Sequence, residues 1–227
     1  MLPWIITETR PAGRRMEMKV YPLQDVTAGR PDGAATAFVT ALAMRNPGPM
    51  LWVQDRTARR EAGRLNEAGL RRVFGLDDPI LHVRVSHPRD ALHVMEEGAA
   101  CGALSAVIGE IDGAATALNL AATQRLILRA RASGVPVWLI RTGTDGGLSA
   151  ARMRWRLDSA PSAPHPADAS APGPAHWTAA LIRAAGRPPG KWTLLHDPDA
   201  PDRLRLVPAT GDGALAAASD GRISTAG

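Results

Sequence analysis

From residue 32 to about residue 141, apolar positions along the chain switch repeatedly between a helical period and short unbroken runs. Residues 32–45 (DGAATAFVTALAMR) predict an Ala-rich helix with Asp32 as its cap, stopped by Pro47-Gly48-Pro49. Short apolar runs at 50–53 (MLWV), 80–85 (ILHVRV), 105–108 (SAVI) and 135–140 (VPVWLI) predict strands. The third has no polar alternation, which suits a strand buried on both faces. Between them, residues 88–102 predict an amphipathic helix. Ala91, Leu92, Met95 and Ala99 form one stripe, with Arg89, His93, Glu96 and Glu97 opposite. Residues 116–133 predict a long helix ended by Gly134. Strands separated by helices of this length need crossover connections, hence a mainly parallel sheet between helices.

After Arg141 the period changes. A Gly-rich link (TGTDGG) leads to residues 152–157 (RMRWRL), which alternate strictly: Arg152, Arg154 and Arg156 on one face, Met153, Trp155 and Leu157 on the other. The Pro/Ala/Ser stretch 159–174 reads as loop. Runs at 177–183 and 191–195 around AAGRPPG predict a hairpin, and a short strand at 204–207 closes the fold. The expected architecture is α/β: a parallel core with antiparallel strands added at one edge. Three stretches follow: an N-terminal segment 1–21, one domain 22–208, and a tail 209–227 whose small polar residues predict disorder.

Composition narrows the class. No apolar run reaches the roughly 18–20 residues that span a bilayer, and the N-terminus places its apolar patch before its arginines, the reverse of a secretory signal. A cytoplasmic protein without membrane contact is expected. The single cysteine, Cys101, has no partner for a disulfide and no Cys or His at ligand spacing, so it predicts a small buried residue on an apolar helix. The net charge of +5 comes almost wholly from arginine, since Lys19 and Lys191 are the only lysines. Basicity favours a polyanionic partner, but a chain this rich in Ala, Gly, Pro and Arg could owe it to compositional bias.

Candidate chemistry is sparse. Residues 29–36 (GRPDGAAT) precede the first helix, where a nucleotide-binding α/β protein carries G-x-x-x-x-G-K-[ST]. Gly29 and Thr36 occupy the two ends of that frame, with Gly33 inside it. Ala34 stands where the second Gly belongs, and Ala35 where a Lys would neutralise the outer phosphates. Without that charge, hydrolysis is not expected, and no catalytic residue, cofactor or metal is assigned. A Gly/Pro loop before an Ala-rich helix with no nucleotide history fits the same spacing. At the end of the 105–108 run, AVIGEID offers Glu110 and Asp112 near the place of a Mg²⁺-binding Asp, but a capping or surface role is expected for both. Glu96 and Glu97 point about 100° apart on their helix and read as a solvated face. The six histidines are scattered. The arginines at 152, 154 and 156 suit a phosphate backbone or an acidic protein surface. An edge strand with a basic outer face would give the same pattern. Trp155 is expected in the core.

The runs PMLWVQDR, ILHVRVSHPRDALHVMEEG, CGALSAVIGEI, TQRLILRARASGVPVWLIR, SAARMRWRLDSAPS and WTAALIRAAGRPPGKWTLLHD together resemble the ImuA family, over residues 22–208. These are RecA-like accessory proteins encoded beside an inactive Y-family polymerase homologue, ImuB, and an error-prone replicative-type polymerase. The resemblance implies a RecA-like fold and a non-catalytic role in SOS-induced mutagenesis, by translesion synthesis past DNA damage. The implied partners are an ImuB-type protein, RecA and the error-prone polymerase. RecA binds DNA through loops after its third and fourth strands; the corresponding stretches here, 111–115 and 142–148, are short and not basic. Protein contacts are therefore expected, with weak DNA binding through the arginine stripe as a subsidiary. Two alternatives remain at this point: a DNA-dependent ATPase or recombinase-like protein with an unorthodox phosphate loop, and a SulA-like cell-division inhibitor.

Overall fold

The computed structural model describes residues 21–196, apart from 32, 145, 146, 163, 166 and 187, and the backbone of the strands at 4–6, 16–18 and 204–208; of residue 169 only the backbone is described. The expected tail at 209–227 and the expected cap Asp32 lie outside the described residues. The elements begin with β1 (Trp4–Ile6) and β2 (Met16–Met18), which pair antiparallel. Next come β3 (Leu23–Ala28), α1 (Ala34–Ala43), β4 (Met50–Gln54), α2 (Arg56–Ala62), α3 (Glu67–Phe74) and β5 (Ile80–Arg84). α4 (Pro88–Ala100), β6 (Ala106–Asp112), α5 (Leu120–Ser133), β7 (Val137–Thr142) and β8 (Met153–Ala160) continue the chain. Last are β9 (Pro164–His165), β10 (Asp168–Pro172), β11 (His176–Ala184), β12 (Gly190–His196) and β13 (Leu204–Pro208).

One nine-stranded sheet dominates, in the order β13-β12-β11-β8-β3-β7-β6-β4-β5. The strands from β8 to β5 are all parallel, and β11, β12 and β13 continue the sheet antiparallel. The expected class is thus present, and its central strand is one the hydrophobic pattern did not mark. All six residues of β3 (LQDVTA) are buried, including Gln24, Asp25 and Thr27. A strand that buries polar groups shows no clean apolar signature.

Two apolar layers cover the sheet. On one face α1 buries nine of its ten residues against Val26, Trp52, Ile108, Trp138 and the inner side of β8, β11 and β12. On the other, Ala91, Leu92, Met95 and Ala99 of α4 and Leu126 and Ala130 of α5 pack on Val53, Val107 and Leu139, so the stripe read for 88–102 is the buried one. α5 starts at Leu120 rather than at 116 because Asn119 caps it, its side chain accepting from the Ala122 N–H at 2.9 Å.

Several expectations need correction. Residues 159–174 are not bare loop, since β9 and β10 form a small antiparallel pair there. Cys101 is exposed: α4 ends at Ala100, and the cysteine sits just beyond the buried stripe as its C-cap. The arginine-bearing strand is not an edge either, because β8 lies between β3 and β11. α2 and α3 fill the connection between β4 and β5, where no helix was expected. They are short and polar, and they are defined by caps: Asp55 accepts from Ala58 N–H and Asn66 from Gly69 N–H.

Candidate functional site

In an open parallel sheet, ligands sit beyond the carboxyl ends of the strands. Here β3 runs out at Ala28, and the 29–36 frame turns the chain into α1. Gly33, the N-cap, adopts φ 81°, a left-handed conformation that glycine reaches without strain. Ala34 is fully buried and Ala35 only 4% exposed, so the first turn of α1 lies directly on the sheet. The space left among Ala28, Arg30, Pro31, Gly33, Thr36, Glu110 and Thr142 is about 40 Å³. Gly29, Gly33 and Thr36 stand at the frame positions, the space beside them is small, and Ala35 puts no cation at the lysine position.

Of the two strand-end acids, Asp112 caps as expected and Glu110 does not do what the sequence suggested. Glu110 is neither a surface residue nor a cap: it points to the α1 face of β6 and is 3% exposed. Its Oε2 accepts from Gln54 Nε2 at 2.7 Å and from Trp52 Nε1 at 3.4 Å. Burial pushes its carboxyl above the ordinary value of 4.5, against those two hydrogen bonds and with help from the nearby Asp55 charge. Gln54 is the hub. Its Nε2 also donates to Gly63 O, while its Oε1 accepts from Leu65 N–H and lies 3.0 Å from His82 Nε2. Desolvation lowers the His82 pKa, and Glu67 opposes the shift. Asp55, also fully buried, bonds Ala58 N–H and Asp112 N–H, tying α2 to the end of β6. Asp112 caps its own turn, accepting from Ala114 N–H.

A carboxyl with a raised folded-state pKa binds its proton more tightly in the folded chain. Stability is then greatest below about 4.5, the ordinary value, and falls as pH rises from there through the folded-state pKa. Glu110→Gln keeps an acceptor for Gln54 and Trp52 but cannot ionise. Denaturant midpoints measured from pH 4 to 8 should show the wild type losing ground to this variant as pH rises. Parallel curves would contradict a buried, reluctantly ionised Glu110.

The arginine stripe divides. Arg152 is exposed. Arg154 is 18% exposed, with its Nε 3.7 Å from the buried Asp25 carboxylate, and Arg156 is half-buried. Asp25 itself faces Arg141, with Nη2 3.0 Å from Oδ2, and both are fully buried. Burial pulls the Arg141 pKa down and the Asp25 charge raises it again. Across the register, Arg183 pairs with Arg154, and Lys191 with Ala180, which pairs with Arg156. These cations share the face of the antiparallel strands that α1 leaves uncovered. Trp155 lies opposite, fully buried, its ring 5.2 Å from Phe38 and 5.9 Å from Trp192. Arg183 and Lys191 were missed because only strand register could have brought them to Arg154 and Arg156. Among the described residues no three His, Cys, Asp or Glu side chains are grouped to hold a metal ion, and no helix is long and apolar enough to cross a membrane.

No family model matches the chain. Two curated relatives do: Protein ImuA of Caulobacter vibrioides strain NA1000 / CB15N and Protein ImuA of Caulobacter vibrioides strain ATCC 19089 / CB 15. Each is 31% identical over 93% of this chain and 87% of its own length. The chain belongs to the ImuA family. Among solved structures, the RadB recombinase superposes with a TM-score of 0.57 at 13% identity, covering 83% of this chain and 92% of its own. The fold is RecA-like, with a mostly parallel core and antiparallel edge strands. In this ImuA-family chain the strand ends at 111–115 and 142–148 are joined by Gly113 N–H donating to Thr142 O, and Arg141 donates to Leu148 O.

Next to the 29–36 frame, and sharing Gly33, Thr36 and Glu110 with the small space there, lies a larger cavity of about 470 Å³ between α1, the α2–α3 segment and the ends of β11 and β12 nearest Glu110. Nothing in the sequence marked it, because its walls come from six separate stretches of chain.

Proposed function

We propose that the protein is a non-catalytic RecA-like accessory factor of SOS-induced, error-prone translesion DNA synthesis. It works in the cytoplasm through contacts with an ImuB-type inactive Y-family polymerase homologue, with RecA and with an error-prone replicative polymerase. Family membership supports the accessory role, and one observation carries its non-catalytic part: Ala34 and Ala35 are packed against the sheet and leave about 40 Å³ where phosphates would sit. A P-loop enzyme depends on a wrapped phosphate, a Lys and a held Mg²⁺, and the first two lack both space and charge here. Glu110, the nearest strand-end acid, is occupied by Gln54 and Trp52.

Removing the gene should lower damage-induced mutation to the level of a strain lacking the partner polymerase genes, with the double deletion no lower. Unchanged mutagenesis would sink the reading. Overexpression should leave division normal in cells without those polymerases; filamentation there would favour the division-inhibitor alternative. The ATPase alternative predicts a calorimetric signal with Mg²⁺·ATP, where a flat titration is expected. Ala35→Lys sharpens that point. Restoring the missing residue should not create ATP binding, because the packed first turn of α1 gives the new side chain nowhere to go, and overpacking should cost about 1–3 kcal/mol. Saturable ATP binding by the variant would overturn the closed-loop argument.

A subsidiary DNA contact rests on the basic face: Arg152, Arg154 and Arg156 are joined by Arg183 and Lys191 through strand register. Replacing Arg152, Arg154 and Arg156 with Ala should reduce the salt dependence of single-stranded DNA binding; an unchanged slope would reject the contact.

A further inference from the structure

The cavity of about 470 Å³ borders the 29–36 frame, sharing Gly33, Thr36 and Glu110 with the small space there, and opens at the carboxyl ends of the parallel strands, where α/β proteins bind their ligands. Its size lies within the range of sites that enclose a guest rather than a stray water, about 300–1,000 Å³. Leu65, Leu70, Val73, Phe74 and Trp177 give it apolar walls. Two polar groups line it with hydrogen-bonding capacity in hand. His196 packs edge-on against Phe74 at 5.9 Å, and its Nε2 is buried without a hydrogen-bond partner among the described residues. Glu110 spends Oε2 on Gln54 and Trp52, which leaves Oε1 to accept an N–H or O–H from a guest.

Charge separates the inside of this cavity from its surroundings. Glu110 lies at its inner end, so a phosphate group reaching that depth would meet a carboxyl. The rim is the opposite: Arg64 lines the cavity itself, and the 56–74 segment that carries it holds six arginines against two glutamates, of which Arg59 and Arg71 bond the carbonyls of Val85 and Leu76. A guest that is apolar and aromatic at its tip and acidic along its flanks matches both parts. That is the composition of a docking hot spot, in which a ring fills a desolvated pocket while rim charges steer the encounter.

We propose that this cavity receives an aromatic side chain from an acidic segment of a partner protein, and so forms a docking surface of this chain. The proposal rests on the accessory-protein reading above and adds to it the face that is used and the chemistry of what it grips. The ring stacks between Phe74 and Trp177, its polar edge bonds Glu110 or His196, and the flanking carboxylates meet the arginines of the α2–α3 segment.

Two measurements test this separately from the function. The first is an amide ¹H–¹⁵N titration of the full chain with indole-3-acetate, an aromatic anion, and with tryptamine, the matching aromatic cation. Indole-3-acetate should shift amides of residues 63–74 and of Trp177 and bind about tenfold more tightly than tryptamine, a difference of about 1.4 kcal/mol. Val73→Asp should abolish the shifts; Val73 is 40% exposed, so the change leaves the core intact. No shifts, equal binding of the two probes, or displacement of indole-3-acetate by AMP would each overturn the proposal. The second is the affinity of Val73→Asp for the ImuB-type partner. A loss of about tenfold or more is expected. Wild-type affinity in the variant would overturn the docking surface while leaving the accessory-protein reading standing.

Discussion

Trp155→Ala should destabilise the protein severely. Trp155 is fully buried on β8 and touches Phe38 of α1 and Trp192 of β12, so one side chain ties the parallel core, its helical cover and the antiparallel strands together. Truncating a buried Trp costs about 3–5 kcal/mol through lost transfer energy and the cavity left behind. That is a large share of the roughly 5–15 kcal/mol by which a domain is usually stable. Urea unfolding followed by near-UV circular dichroism reads it directly. The indole N–H is buried without a hydrogen-bond partner among the described residues. Trp155→Phe therefore removes an unsatisfied donor along with some volume, and should cost much less than Trp155→Ala. A loss below about 1 kcal/mol for Trp155→Ala would show that β11 and β12 pack independently of the core.

Asp25→Ala should be comparably damaging for an electrostatic reason. Asp25 faces the fully buried guanidinium of Arg141 at 3.0 Å and that of Arg154 at 3.7 Å. Removing the carboxylate leaves two cations with no countercharge beside them, and breaking a buried pair from one side costs about 3–5 kcal/mol. Replacing both partners with apolar residues is far milder, since the desolvation penalty disappears with the charges. Asp25→Leu combined with Arg141→Leu should thus recover most of the stability lost by Asp25→Ala alone. Denaturant midpoints for the single and double variants form the cycle. If the double variant is as unstable as Asp25→Ala, the pair contributes by packing and not by charge.

This buried pair also explains what the sequence concealed. Where burial is apolar, the pattern read true: the Ala91, Leu92, Met95, Ala99 stripe, the strands at 50–53 and 135–140, and the inward Trp155 lie as expected. β3 was invisible because Gln24, Asp25 and Thr27 break its apolar run, and their burial depends on partners more than a hundred residues away on β7 and β8. Glu110 was misread for the same reason. Its partners Trp52 and Gln54 lie 58 and 56 positions earlier and meet it only through the pairing of β4 with β6. α2 and α3 are held by local caps and carry too little apolar sequence to announce themselves.

The frame from Gly29 to Thr36 and its missing lysine were legible as spacing. What spacing could not show is that Ala34 and Ala35 are themselves part of the core. The second cavity had no signature at all, being assembled from α1, β4, the α2–α3 segment, β6 and two late strands.

The most direct test of the account is to titrate the purified protein with its ImuB-type partner, with and without Mg²⁺·ATP. A scaffold with a closed phosphate loop predicts association at micromolar concentrations or tighter, at the same affinity in both conditions. No association at such concentrations, or association that requires the nucleotide, would contradict it.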